Sequence, residues 1–147
     1  MVLKCPKPIR GYPLQFVTVA DHLRKRRLDL NLTKVETGRR LGIGPWTYTR
    51  WESGEMTIEV RYYPRIISFL GYHPLPRPTS FEEAVWRERT SRGLGRLALA
   101  KLVGVAETTV ERAEKDSSLM VKRTKRLIAR ALKIRLAPST LKAGGHS

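Results

Sequence analysis

Apolar positions along the chain recur at spacings of three and four, and no stretch sustains a two-residue alternation, so the pattern predicts helices. Phe81, Ala84 and Val85 stand at i, i+3 and i+4. Val19, Ala20 and Leu23 give a weaker version before the basic run Arg24-Lys25-Arg26-Arg27. Start and stop signals frame further helices. Thr18 with Asp21, Thr33 with Glu36, and Ser80 with Glu83 fit the capping-box pattern, in which a hydroxyl and an acid three residues on satisfy each other's backbone N–H groups. The helix opened at Thr33 runs to Leu41 and stops at Gly42, a residue at ease with positive φ. Pro45 suits the first position of the next helix, which runs to Glu52 and ends near Ser53-Gly54. Pro64 opens a helix through Leu70, with Gly71 as its stop. The best strand candidate, 57–63, reads as a loop and helix lead-in.

The chain repeats itself at an offset of 62 residues, the distance from Leu32 to Leu94. Residues 23–52 then lie on 85–114, and six of the thirty pairs are identical: Arg27/Arg89, Leu32/Leu94, Gly42/Gly104, Thr47/Thr109, Arg50/Arg112 and Glu52/Glu114. Chance gives roughly two at average residue usage. Ile66 falls on Ile128 and Leu70 on Leu132, so the shared unit covers nearly all of each half. The copy of helix 45–52 is 107–115. Between the halves, His73-Pro74-Leu75-Pro76-Arg77-Pro78 resists helix and favours an extended connector. The expected organisation is a first domain at 14–73, a linker at 74–79, a second domain at 80–136 and a fraying tail at 137–147.

Composition narrows the chemistry. The 147 residues hold 29 Lys and Arg against 13 Asp and Glu, a net charge of +16, with an apolar fraction of 41% that suits a folded chain. Such an excess points to a polyanionic partner, with nucleic acid as the default. A solubilising surface and an anionic-membrane patch are the blander alternatives. From Ser117 to Ser147 there is no acidic residue, whereas basic residues are frequent. The lone Cys5 excludes an intrachain disulfide and a multi-thiolate zinc site, and His22, His73 and His146 have no ligand spacing. No apolar run reaches the roughly 20 residues of a membrane span, and the N-terminus lacks a signal-peptide apolar region. These features lead to the expectation of a cytoplasmic, nucleoid-associated protein that is not an enzyme and needs no cofactor.

The segment from Leu32 to Gly54, with its helix, turn glycine, apolar positions and closing Trp51-Glu52-Ser53-Gly54, resembles the helix-turn-helix core of the Cro/repressor-like (Xre-type) DNA-binding family. The second half is similar but degenerate: Ala113 stands for Trp51, and Lys115-Asp116 for Ser53-Gly54. The resemblance implies an all-α fold of two tandem lambda-repressor-like helix-turn-helix domains. It also implies a sequence-selective transcriptional regulator of double-stranded DNA. Gly38 and Ala100 take the close-contact position of the first motif helix, Ile43 and Val105 anchor the turn, and Tyr48 and Val110 face the core. The outer face of the second helix is left for a major groove about 12 Å wide.

By the same resemblance, base-edge contacts fall at Pro45, Trp46 and Arg50, and at Glu107, Thr108 and Arg112. Arg50 and Arg112 suit guanine O6 and N7, and Glu107 suits cytosine N4 but repels phosphate. Phosphate contacts fall at Lys34 and Arg96, with Thr47 and Thr49 on phosphate or base edges. Arg27 is implied to pair with Glu52, and Arg89 with Glu114. Two engaged units imply half-sites about 34 Å apart. The run Arg24–Arg27 reads equally as a phosphate clamp or a solvated face, while Trp51 reads as core and Trp46 as outward-facing. Tyr62 and Tyr63 read as packing aromatics, and Asp21 and Glu36 as caps. The alternatives are a protein-interaction module, antitoxin-like or chromosome-associated, with one DNA-binding half, and an RNA-binding protein. A homodimer or a protein partner stays open.

Overall fold

The computed structural model describes residues 18–136; the 14–17 start of the expected first domain and the expected tail at 137–147 lie outside them. The described residues form α1 (Val19–Asp29), α2 (Lys34–Leu41), α3 (Pro45–Ser53), a 3-10 turn (Val60–Tyr62), α4 (Tyr63–Leu70), α5 (Phe81–Ser91), α6 (Arg96–Val103), α7 (Glu107–Lys115) and α8 (Lys122–Leu132). No strand occurs among them. The chain divides into two compact units, one of 18–58 with 65–74 and one of 59–64 with 75–136.

Adding 62 to the bounds of α1, α2 and α3 gives those of α5, α6 and α7. The 3-10 turn and α4 together map onto α8 in the same way. The one difference has a covalent cause. Pro64 has no N–H to give and its ring crowds the carbonyl four residues back, so the first turn tightens to 3-10. Its counterpart Arg126 lets α8 run unbroken.

Each unit buries one side of its helices. Leu23, Tyr48, Trp51, Ile66 and Leu70 are inaccessible in the first. Their counterparts Val85, Val110, Ala113, Ile128 and Leu132 form the core of the second, joined by Phe81, Leu99, Ala100 and Ala129. Lys125 is also buried there, with its ammonium 5.8 Å from the Phe81 ring centre.

The helix starts follow the local chemistry. Thr18 with Asp21 and Thr33 with Glu36 close complete reciprocal caps. Ser80 is a correction to the expected third box. Its hydroxyl accepts from Glu83 N–H, but the Glu83 carboxylate binds the N–H and hydroxyl of Thr79, one residue earlier. Thr79 offers that carboxylate two donors where Ser80 N–H offers one.

Candidate nucleic-acid interface

The turn between α2 and α3 depends on two glycines. Gly42 caps α2 at φ +71, in the left-handed region, and receives no bulk from a side chain there. Gly38 is buried, and a Cβ on it would meet the Ile43 carbonyl oxygen at 3.1 Å. The bare Cα at that point lets α2 and the turn into α3 approach closely, whereas the second unit accommodates the Cβ of Ala100 there. Thr37, also buried, donates its hydroxyl to Thr33 O at 2.9 Å. Arg65 closes the turn from α4 by donating to Leu41 O at 3.3 Å.

α3 is oriented by what its inner side buries. Tyr48 is fully buried and Trp51 nearly so. Glu52 is buried with them and accepts from Arg27 Nε at 2.9 Å and Nη2 at 2.8 Å. Arg24 adds a third contact at 3.3 Å. Burial alone would raise the Glu52 carboxyl, but hydrogen bonds from Arg27 and nearby positive charge hold it below its ordinary value. The Arg27 guanidinium is pushed up, first by its hydrogen bond to Glu52. Tyr48 Oη sits in the same enclosure without a hydrogen bond of ordinary geometry, and burial pushes its phenol far up.

Most of the basic run at 24–27 is held by partners within its own unit. Arg24 and Arg27 turn inward to Glu52, Arg26 donates to Phe69 O at 3.0 Å, and Lys25 pairs with Asp29 at 2.7 Å. A buried carboxylate and the open carbonyl of Phe69 draw the three arginines inward, while Lys25 stays at the surface in a pair along its own helix. His22 Nδ1 lies 2.8 Å from Tyr72 Oη.

The opposite side of α3 is open. Pro45 is exposed at the first helical position, Trp46 is 61% exposed, and Thr47, Thr49 and Arg50 are partly exposed. Arg50 stacks its guanidinium carbon 4.2 Å from the Trp46 ring centre, and its Nη1 reaches Glu55 at 3.1 Å. The indole face and the carboxylate both contact the planar fork and favour this attitude. Glu55 was not singled out from sequence, because it lies past the helix-ending Gly54, where a side chain's direction depends on the αL turn. Thr49 donates its hydroxyl to Pro45 O at 2.8 Å, which leaves only its acceptor lone pairs for a partner. Lys34 is exposed at the first position of α2, where backbone N–H groups also favour an anion.

The second unit keeps the framework and alters the outer face. Arg89 and Glu114 form the counterpart ion pair, and Arg89 donates to Leu94 O at 2.8 Å as Arg27 does to Leu32 O at 3.2 Å. Arg96 also pairs with Glu114, at 2.9 Å. Lys34, its counterpart, makes no ion pair with Glu52; Arg24 supplies that second cation instead. Glu107, Thr108 and Arg112 are exposed along α7. Glu107 occupies the first position of its helix, where a carboxylate is favoured by the macrodipole.

Among the described residues no cluster of His, Cys, Asp and Glu could hold a metal ion, and no helix is long and apolar enough to cross a membrane.

Residues 23–75 match the helix-turn-helix family model. The match takes in α2, the glycine turn and α3, the elements whose geometry is described above. No curated protein and no solved structure matches the chain.

Proposed function

We propose that the protein binds double-stranded DNA with sequence selectivity through the outer face of α3, as a cytoplasmic, nucleoid-associated transcriptional regulator. The supporting observation is the fork of Arg50, stacked on Trp46 and paired with Glu55 on an otherwise open helix face. A planar guanidinium is suited to the paired acceptors of guanine. Lys34 supplies a phosphate contact at the head of α2, and Thr47 and Thr49 line the helix beside the groove. Pro45 and Trp46 meet the base edges or the adjoining sugars by apolar contact.

The two units are tandem helix-turn-helix domains joined through the proline-rich segment, and they do unequal work. In the second, Arg96 is engaged by Glu114 and the reading helix begins with Glu107, so its hold on phosphate is weaker. Leu102 is 64% exposed on α6, where the first unit has the cation Arg40. That change favours a protein contact for the second unit over base reading by Glu107, Thr108 and Arg112.

The test is a set of binding titrations with duplex DNA, single-stranded DNA and single-stranded RNA at stepped salt. The proposal expects duplex DNA to bind tightest, with log K falling by about 0.9 per phosphate neutralised. Tighter binding to single-stranded RNA overturns it.

A further inference from the structure

One face of α8 carries positive charge that forms no ion pair with any acid among the described residues. Lys122, Arg123, Arg126, Arg130 and the capping Lys133 are all exposed, while Ile128, Ala129 and Leu132 enter the core from the other side. Arg123, Arg126 and Arg130 stand three and four apart and so form one stripe. The acids that might have balanced them are committed elsewhere. Every Asp and Glu except Glu107 already accepts a hydrogen bond or an ion pair, and none of those partners lies on α8. Residues 1–17 and 137–147 contain no Asp or Glu.

This arrangement works against the helix that carries it. Lys122 and Arg123 occupy the first turn, at the positive end of the macrodipole. Lys122 with Arg126, and Arg126 with Arg130, are like-charge pairs four residues apart. The corresponding stretch of the first copy of the repeat, 60–71, avoids both problems. Sixty-two residues earlier stand Val60, Pro64, Ser68 and Gly71, and the one retained cation, Arg61, pairs with Glu59 at 3.0 Å. Folding alone gives no reason for the α8 stripe.

We propose that this face of α8 is a second, sequence-independent phosphate-binding surface that grips the backbone of double-stranded DNA. From Lys122 to Lys133 the stripe runs about 16 Å at 1.5 Å per residue, long enough to meet several charges of a polymer that carries one per roughly 1.7 Å. Guanidinium forks suit phosphate oxygens, and they carry no information about bases. The proposal takes its polyanion from the DNA-binding reading, but it does not depend on α3 being the reader.

The experiment measures affinity of the full chain for a random-sequence duplex between about 50 and 200 mM salt. The variant with Arg123→Gln, Arg126→Gln and Arg130→Gln together is expected to show a slope of log K against log salt shallower by about 2.7. Its loss of affinity over that salt range is then about 40-fold smaller than that of the unaltered chain. The corresponding triple lysine variant keeps the original slope. Circular dichroism melting checks the fold. If the triple glutamine variant unfolds, Arg126→Gln alone, which removes both like-charge pairs, is expected to lower the slope by about 0.9.

An unchanged slope in the glutamine variants overturns the proposal. So does a chain that prefers anionic phospholipid vesicles to duplex DNA and loses only vesicle binding on substitution. Loss of slope in a chain that selects no sequence leaves α8 in place and removes α3 as reader. Retained sequence selection with an unchanged slope does the reverse.

Discussion

Arg27 grips both carboxylate oxygens of Glu52 across 25 residues of chain, at 2.9 and 2.8 Å, and fastens α1 to the end of α3. Arg89 and Glu114, separated by the same 25 residues, fasten α5 to α7 through one carboxylate oxygen, while Arg96 holds the other. With its side chain 3% exposed, Glu52 cannot fall back on water when its partner is removed. Arg27→Ala leaves the buried carboxylate only the longer contact from Arg24, and is expected to destabilise by about 3 kcal/mol, the lower end for a broken buried pair. Urea unfolding is the measurement. A double variant that removes Glu52 as well should recover part of the loss.

Acid should weaken the same joint. The Glu52 carboxyl is held below its ordinary value of 4.5 in the folded chain. A depressed carboxyl contributes stability that is fully present above 4.5 and is lost as pH falls through the folded value. Thermal melts between pH 7 and 3 are expected to show stability falling below pH 4.5. Glu52→Gln should be less stable at pH 7 and flatter across that window.

The glycines of the two motifs should respond in opposite ways. Gly38→Ala drives a Cβ onto the Ile43 carbonyl at 3.1 Å, a backbone atom with little room to move. Its expected cost is about 1–3 kcal/mol. Gly95 precedes α6 at φ −70 with nothing within 4 Å, in the place where Thr33 caps α2. Gly95→Ser is expected to add a cap and remove unfolded-state freedom, for a gain of about 0.5–1 kcal/mol. Denaturation midpoints of the two variants decide the sign of each.

Much of this architecture is legible in the sequence because it is local. Thr33 with Glu36, Gly42 and Pro45 signal a start, a stop and a start within thirteen residues, and each signal acts on its own backbone. Trp51 and Tyr48 are buried because the helical period leaves them no other side. What escaped sequence reasoning needs side-chain direction. The cations at 24–27 read as a surface feature until Glu52 is known to lie beneath α1. Arg96 looks equivalent to Lys34, yet the choice of a longer, forked cation brings it to Glu114. Glu55 and Tyr72 meet their partners only through turns at Gly54 and Gly71, which periodicity does not describe.

Lys34 and Arg96 should separate on substitution. Lys34→Ala is expected to weaken all duplex sequences alike and to lower the salt slope by about 0.9. It should leave the melting temperature unchanged, because the side chain is exposed and makes no ion pair with Glu52. Arg96→Ala removes one of two cations on the buried Glu114, and is expected to lower stability by about 1 kcal/mol with a smaller effect on DNA affinity. Paired melts and DNA titrations give both readings.

Sequencing the duplexes that the chain retains from a random library, beside those retained by Arg50→Ala, tests DNA reading by α3 most directly. The expected outcome is a short motif with a guanine whose preference is lost in the variant, at a cost of about 1–3 kcal/mol at that position. Recovery of the same motif by both chains, or of no motif by either, would contradict it.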